Sequence, residues 1–196
     1  MTNEERIQKV IKEAEKSALL RRTVAETLAE PLVKMANFLS ACIGSGGKLL
    51  ICGNGGSAAD SSHMAAEMIV RLTAEHNRIS LPAIALTADT SILTAAGNDF
   101  GFERIFSRQV EGLGRDGDML LVISTSGNSI NLVRAVETAA QRRMRTAALL
   151  GGDGGKLASM VDMKLIVPHT SVQRIQEEHI FLIHLLVELI EGDLFQ

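Results

Sequence analysis

The chain has 196 residues, 46% hydrophobic and 22% charged, with a net charge of −3, which suits one domain with a full apolar core. The mildly acidic balance gives no bulk attraction to nucleic acid or an anionic membrane, and the absence of Trp and Tyr with only six Phe removes the aromatic faces of a single-strand-binding platform. The charged start Met-Thr-Asn-Glu-Glu-Arg lacks a signal-peptide core, and no apolar run reaches the roughly 18 residues of a membrane span. Cys42 and Cys52 are too few for a disulfide scaffold and fit free thiols in a reducing compartment, so the expected location is cytoplasmic.

Residues 4–43 carry apolar positions at helical spacing, among them Val24, Leu28, Leu32, Met35 and Leu39, and Pro31 predicts a break between two helices. This segment has no core of its own and must pack on the rest of the chain or on another copy. From Lys48 the pattern changes. Lys48-Leu-Leu-Ile-Cys52 is a short apolar run closed by Gly53-Asn-Gly-Gly56, as for a buried parallel strand before a turn. A helix over 57–72, a strand over 83–87 and helices over 91–97 and 102–112 are predicted next. A strand over 118–124, a helix over 128–142, strands over 145–150 and 164–167, and a long apolar helix over 172–192 follow. This alternation predicts an α/β fold, with a doubly wound five-stranded parallel sheet flanked by helices and extra N-terminal helices. Residues 1–196 form one domain, with 1–45 used in packing and oligomerisation.

In such sheets ligands bind beyond the carboxyl ends of the strands. Ser124-Thr-Ser-Gly-Asn-Ser129 lies between a strong strand and a strong helix, and its hydroxyls and the following helix N-terminus suit an anion. Plain helix capping is the rival reading, but six small polar residues exceed what one cap needs. Gly53-Asn-Gly-Gly-Ser57 permits close backbone approach, and Gly97-Asn-Asp-Phe-Gly101 would reach the same edge or form a simple turn. His63 and Glu67, at i and i+4, share a helix face and make either a surface ion pair or a functional pair. The last helix is apolar nearly all round, so His179 and His184 read first as core histidines.

These blocks, in order and at matching spacing, are Cys52-Gly-Asn-Gly-Gly-Ser57, His63-x-x-x-Glu67, Gly97-Asn-Asp-Phe-Gly101, Ile123-Ser-Thr-Ser-Gly-Asn-Ser129, Gly151-x-Asp-Gly-Gly155 and Arg174-Ile-Gln-Glu-x-His179 with His184. Residues 20–195 resemble the sugar isomerase (SIS) family, and within it the phosphoheptose isomerases. The resemblance implies the SIS fold and interconversion of sedoheptulose 7-phosphate and D-glycero-D-manno-heptose 7-phosphate, the entry to heptose precursors of lipopolysaccharide core. It also implies a cytoplasmic homotetramer and zinc.

Carried over by position, the resemblance implies Glu67 and His184 as the catalytic pair and His63, Glu67, Gln176 and His184 as zinc ligands. Asn54, Gly55, Gly56, Glu67, Arg71, Asn98, Asp99, Ser124, Thr125, Ser126, Ser129 and Gln176 fall on substrate-binding positions. Gln173 stands where some relatives have an Asp. Glu67 would then move a proton between C1 and C2 of an enediol, with His184 serving the oxygens. Gln176 and His184 lie about 12 Å apart along a straight helix, which predicts ligands drawn from different subunits and a site at a subunit boundary. The alternatives are a non-catalytic SIS protein that binds the replication initiator, which resembles this chain but lacks Glu67 and His184, or an SIS isomerase for another sugar phosphate.

Overall fold

The computed structural model describes residues 1–75 and 77–195. The elements are α1 (Asn3–Gly44), β1 (Leu49–Gly53), α2 (Gly56–Ile69), β2 (Ala83–Ala85), α3 (Thr90–Phe100), α4 (Ser107–Leu113), β3 (Met119–Ser124), α5 (Ile130–Gln141), β4 (Arg145–Gly151), β5 (Met163–Val167) and α6 (Val172–Phe195). Short 3-10 turns occupy Phe102–Arg104 and Lys156–Ser159. The strands form one parallel sheet in the order β2-β1-β3-β4-β5, as the alternation predicts.

Side chains alternate across a strand, and each strand feeds two cores. Leu49 and Ile51 of β1, with Met119, Leu121 and Ile123 of β3, face α1, α2 and α6. Leu50 and Cys52, with Leu120 and Val122, face α3, α4 and α5. Burial on both faces explains why these strands read as continuous apolar runs. The Cys52 thiol is fully enclosed, and burial pushes its pKa up, so it is a core residue.

Besides element ends and the division of 102–112 into a 3-10 turn and α4, two predicted features differ in the structure. The N-terminal region is one helix of 42 residues with Pro31 inside it, not two helices. A proline there costs about 3 kcal/mol through a lost hydrogen bond and a clash. Leu20, Val24, Leu32, Met35, Leu39 and Ile43 of the same helix are buried against the core, each contributing roughly 1.5–3 kcal/mol, so continuous packing outweighs the break. Up to Leu19, α1 is mostly exposed and about 25 Å long at 1.5 Å per residue, with Ser17 Oγ donating to Glu177 of α6 at 2.8 Å. A capping box closes its first turn, where Thr2 and Glu5 bond each other's backbone. The Gly97–Gly101 block is the second difference. It is the last turn of α3, capped at its start by Asp89, so Asn98 and Asp99 are helical and exposed.

His179 is buried, and its Nε2 meets the Leu150 carbonyl at 3.0 Å, as expected of a core histidine. Burial lowers its pKa to about 4, against a partial rise from the Leu150 bond. The folded state thus holds the neutral ring while the unfolded chain binds a proton near the ordinary 6.5. Stability from this group is complete above pH 6.5 and is lost as pH falls towards 4. Between pH 7.5 and 5, wild type should lose about 2 kcal/mol more of unfolding free energy than His179→Gln, measured by urea denaturation. Equal losses in the two proteins would show that His179 does not titrate with folding.

Candidate active site

The winding of the sheet reverses between β1 and β3, because the chain steps outward to β2 and then crosses back to β3. Neighbouring strands with diverging connections leave a crevice at their carboxyl ends. Here it is a cavity of about 260 Å³. Asn54, Gly55, Gly56, Ser124, Thr125, Ser126, Ser129 and Gln176 all line it, so the structure brings these eight predicted residues together.

Both helices that start there, α2 after Gly55 and α5 after Ser129, lack a side-chain cap. Each N-terminus carries about half a positive charge and unpaired N–H groups. The capping interpretation of the serines therefore fails for α5. Ser124 Oγ instead accepts from the Gly127 N–H at 3.0 Å, and Ser126 Oγ from the Asn128 N–H at 3.3 Å, bonds that shape the loop itself. Gly127 has a φ of 63° and backs directly onto the Gly154 carbonyl. The Leu157 N–H donates to the Gly127 carbonyl at 3.0 Å, and the Lys156 N–H to Asn128 Oδ1 at 3.1 Å. The glycine-rich turn after β4 thus braces the loop after β3, a role that only the tertiary structure reveals.

Gln176, near the start of α6, packs over Gly56, where a Cβ would collide with its amide. Asn54 borders the cavity and is also held from behind. It makes a reciprocal amide pair with Asn131, at 2.9 and 2.8 Å. Asn131 is buried on α5 and ties the loop after β1 to the helix after β3. Sequence reading missed it. Its signal was a lone amide beside Leu132 and Val133 on an apolar helix.

Further along α2, His63 meets α6 and Glu67 stands beside His63. His63 Nε2 lies 2.9 Å from His184 Nε2, with the rings tilted by 52°, and 3.5 Å from Glu67 Oε1. The closest partner of His63 is thus the other imidazole, across two helices, so the group is more than a surface ion pair. A nitrogen–nitrogen contact of this length needs one ring N–H and one lone pair. One turn earlier, Asp60 Oδ2 is buried without a hydrogen-bond partner among the described residues. Burial raises the Asp60 carboxyl to about 6, opposed by His63. No sequence signal marked it, since its burial comes from tertiary packing.

Two imidazoles beside a carboxylate are donor types that zinc accepts. As they stand, no three His, Cys, Asp or Glu side chains among the described residues are arranged to hold a metal ion. Gln176 belongs to the cavity end instead. Arg71 is exposed beyond the end of α2, and Asn98 and Asp99 are exposed on α3. None of these three lines the cavity.

Ser124→Ala should weaken binding of inorganic phosphate about fivefold to tenfold, the worth of about 1 kcal/mol, measured by calorimetric titration. Unchanged affinity would mean that the loop is only a helix start.

The SIS domain family model matches residues 14–151, which include both cavity loops. The chain is 50% identical to the phosphoheptose isomerase of Chlorobaculum parvum over 177 residues, 90% of this chain and 85% of that protein. It is 50% identical to the Neisseria gonorrhoeae phosphoheptose isomerase over 179 residues, 90% of each. Its structure matches that of a Neisseria gonorrhoeae phosphoheptose isomerase with a TM-score of 0.89 at 47% identity, covering 94% of this chain and 98% of the other. A Francisella tularensis phosphoheptose isomerase matches with a TM-score of 0.92 at 38% identity, covering 98% and 100%. By sequence and by structure, the chain belongs to the SIS domain family and, within it, to the phosphoheptose isomerases.

Proposed function

We propose that this chain is an aldose–ketose isomerase that converts sedoheptulose 7-phosphate to D-glycero-D-manno-heptose 7-phosphate, supplying heptose for lipopolysaccharide core or a related glycan. One observation carries this reading. An anion-binding end and a carboxylate–imidazole group lie on the same helix, with His63 about 10 Å along α2 from Gly56 at 1.5 Å per residue. That spacing suits an extended sugar whose phosphate and reacting carbons sit at opposite ends. The family's named relatives carry the same activity in their names.

Isomerisation needs a base for the proton next to the carbonyl and an acid for its oxygen. Glu67, at the solvent-facing side of α2 and half-buried, moves the proton between C1 and C2. His184 serves the oxygens, and its Nε2 shares one hydrogen with His63 Nε2 at 2.9 Å, with either ring able to donate it. The phosphate rests against the α2 and α5 N-termini and the Ser124–Ser129 loop.

His63, Glu67 and His184 have the donor types for zinc but would have to rearrange to hold it, and a zinc ion held there would polarise the carbonyl as a Lewis acid. One Nε2 cannot ligate a metal and donate a proton at once, so the chelator arm below also tests the role of His184.

The proposed assembly is a cytoplasmic homotetramer. Ile7, Val10, Ile11 and Leu19 stand exposed on the first part of α1, a surface that a second copy would cover. Arg71, Asn98 and Asp99, which this chain's own cavity does not take up, are open to a neighbouring copy. The expected separation of Gln176 from His184 holds along α6, but His63, Glu67 and His184 meet within one chain. Gln176 and His184 lie about 12 Å apart along α6, and the subunit boundary this separation predicts is proposed for Gln176 as a ligand. No described helix is long and apolar enough to cross a membrane.

Incubation with sedoheptulose 7-phosphate should give the aldoheptose phosphate, and a chelator should lower the rate; an unchanged rate with chelator would remove zinc and leave His184 free for proton transfer. No turnover of this sugar, with turnover of another sugar phosphate, would overturn the substrate. Glu67→Gln should lower kcat by roughly 10²–10⁴-fold in a folded protein, and a near-normal rate would remove Glu67 as the base. Mixed Glu67→Gln and His184→Gln subunits should recover no activity, since each site needs both groups from one chain. Recovery would place them in different subunits.

A further inference from the structure

The contacts between α2 and α6 recur in step. Gly56 meets Gln176, His63 meets His184, and seven residues beyond His184 stands Glu191. Seven residues are about two helical turns, so His184 and Glu191 share one face of α6. Glu191 Oε1 accepts from the Leu72 N–H, just past the end of α2, at 3.4 Å. It holds Arg78, from the segment that follows α2, through Nε to Oε1 at 2.7 Å. Both side chains are almost fully buried, 3% and 6% exposed.

The rest of the Arg78 guanidinium closes the end of α2. Nη2 donates to the Glu67 carbonyl at 2.8 Å, and Nη1 to the carbonyls of Met68 and Ile79 at 2.9 and 3.0 Å. The last turn of α2 has no basic residue of its own, and the final carbonyls of a helix otherwise lack partners. One planar fork thus caps the turn that carries Glu67 and anchors it to the helix that carries His184.

We propose that Arg78 and Glu191 are positioning residues for proton transfer, setting the rotation and depth of the Glu67 turn against α6 and with them the His63–His184 contact. This rests on the reading of Glu67 and His184 as the proton-transfer pair. Neither residue borders the cavity between β1 and β3, so the role concerns turnover and not phosphate binding. Lysine cannot replace the arginine, because a point ammonium does not span a carboxylate and three carbonyls as a planar fork does. A merely structural pair would behave differently, since a buried ion pair can often be exchanged for apolar residues without loss of stability.

The test uses Arg78→Lys, Glu191→Gln and the double variant Arg78→Met/Glu191→Leu in the full-length protein, with Glu67→Gln as reference. Thermal unfolding first establishes which variants are folded at the assay temperature. The double variant, free of unpaired buried charge, covers the case in which a single change unfolds the chain. In folded variants kcat should fall tenfold or more with KM within twofold, and the imidazole ¹H–¹⁵N resonances of His63 and His184 should shift. A folded Arg78→Lys or double variant with kcat within twofold of wild type and unmoved imidazole resonances would overturn the proposal, as would a change in KM alone. If Glu67→Gln itself keeps its rate, the proton-transfer reading fails first, and the imidazole resonances still decide whether Arg78 positions the two rings.

Discussion

The reversal of winding between β1 and β3 is the constraint on which the rest of the site depends. The two strands pair along five residues, Leu49 to Gly53 against Met119 to Ile123, so their ends emerge side by side. Their connections then leave on opposite faces of the sheet, α2 towards α1 and α6, and α5 towards α3 and α4. Two helix N-termini are thereby aimed into one crevice. The chain leaves both without side-chain caps, although Ser129 stands at the N-cap of α5. An anion is the natural partner of such a pair, because peptide dipoles and unpaired N–H groups act together there.

Polar side chains spent on holding this crevice open are as informative as those that face it. Ser124 and Ser126 bond within their own loop. Asn54 and Asn131 join the loop after β1 to α5 across the switch point. The turn at 152–157 supports Gly127 and Asn128 from behind. What remains to face a ligand is mostly backbone N–H and the hydroxyls and amide that line the cavity, a rigid arrangement that needs little reorganisation to receive a phosphate.

The second organiser is α6. Its apolar residues pack on α1, on the sheet and on α2, which fixes its rotation. Once that rotation is set, Gln176, His184 and Glu191 follow one another along the helix, at the cavity, at the imidazole pair and at the Arg78 anchor. Two of its other polar groups serve the core. Glu178 is buried and held by Arg21 of α1 through Nε at 2.8 Å, and His179 is tied to the Leu150 carbonyl of β4. These bonds join α6 to α1 and to the sheet.

The sequence by itself determined the α/β alternation, the five parallel strands and the loops of the cavity, because strand runs, glycine-rich turns and capping residues are local signals. It also marked His63, Glu67 and His184, through spacing and through family likeness. The tertiary structure decided the remainder. Pro31 lies within an unbroken helix because packing along α1 outweighs a local break. Asn98 and Asp99 are helical because α3 continues through a sequence that locally resembles a turn. Asn54 turns towards Asn131, Asp60 loses its water and Arg78 reaches Glu191 because partners from distant segments arrive there. Burial and pairing between residues a hundred positions apart have no local signature, and they decide which of the polar residues face a substrate and which hold the site in place.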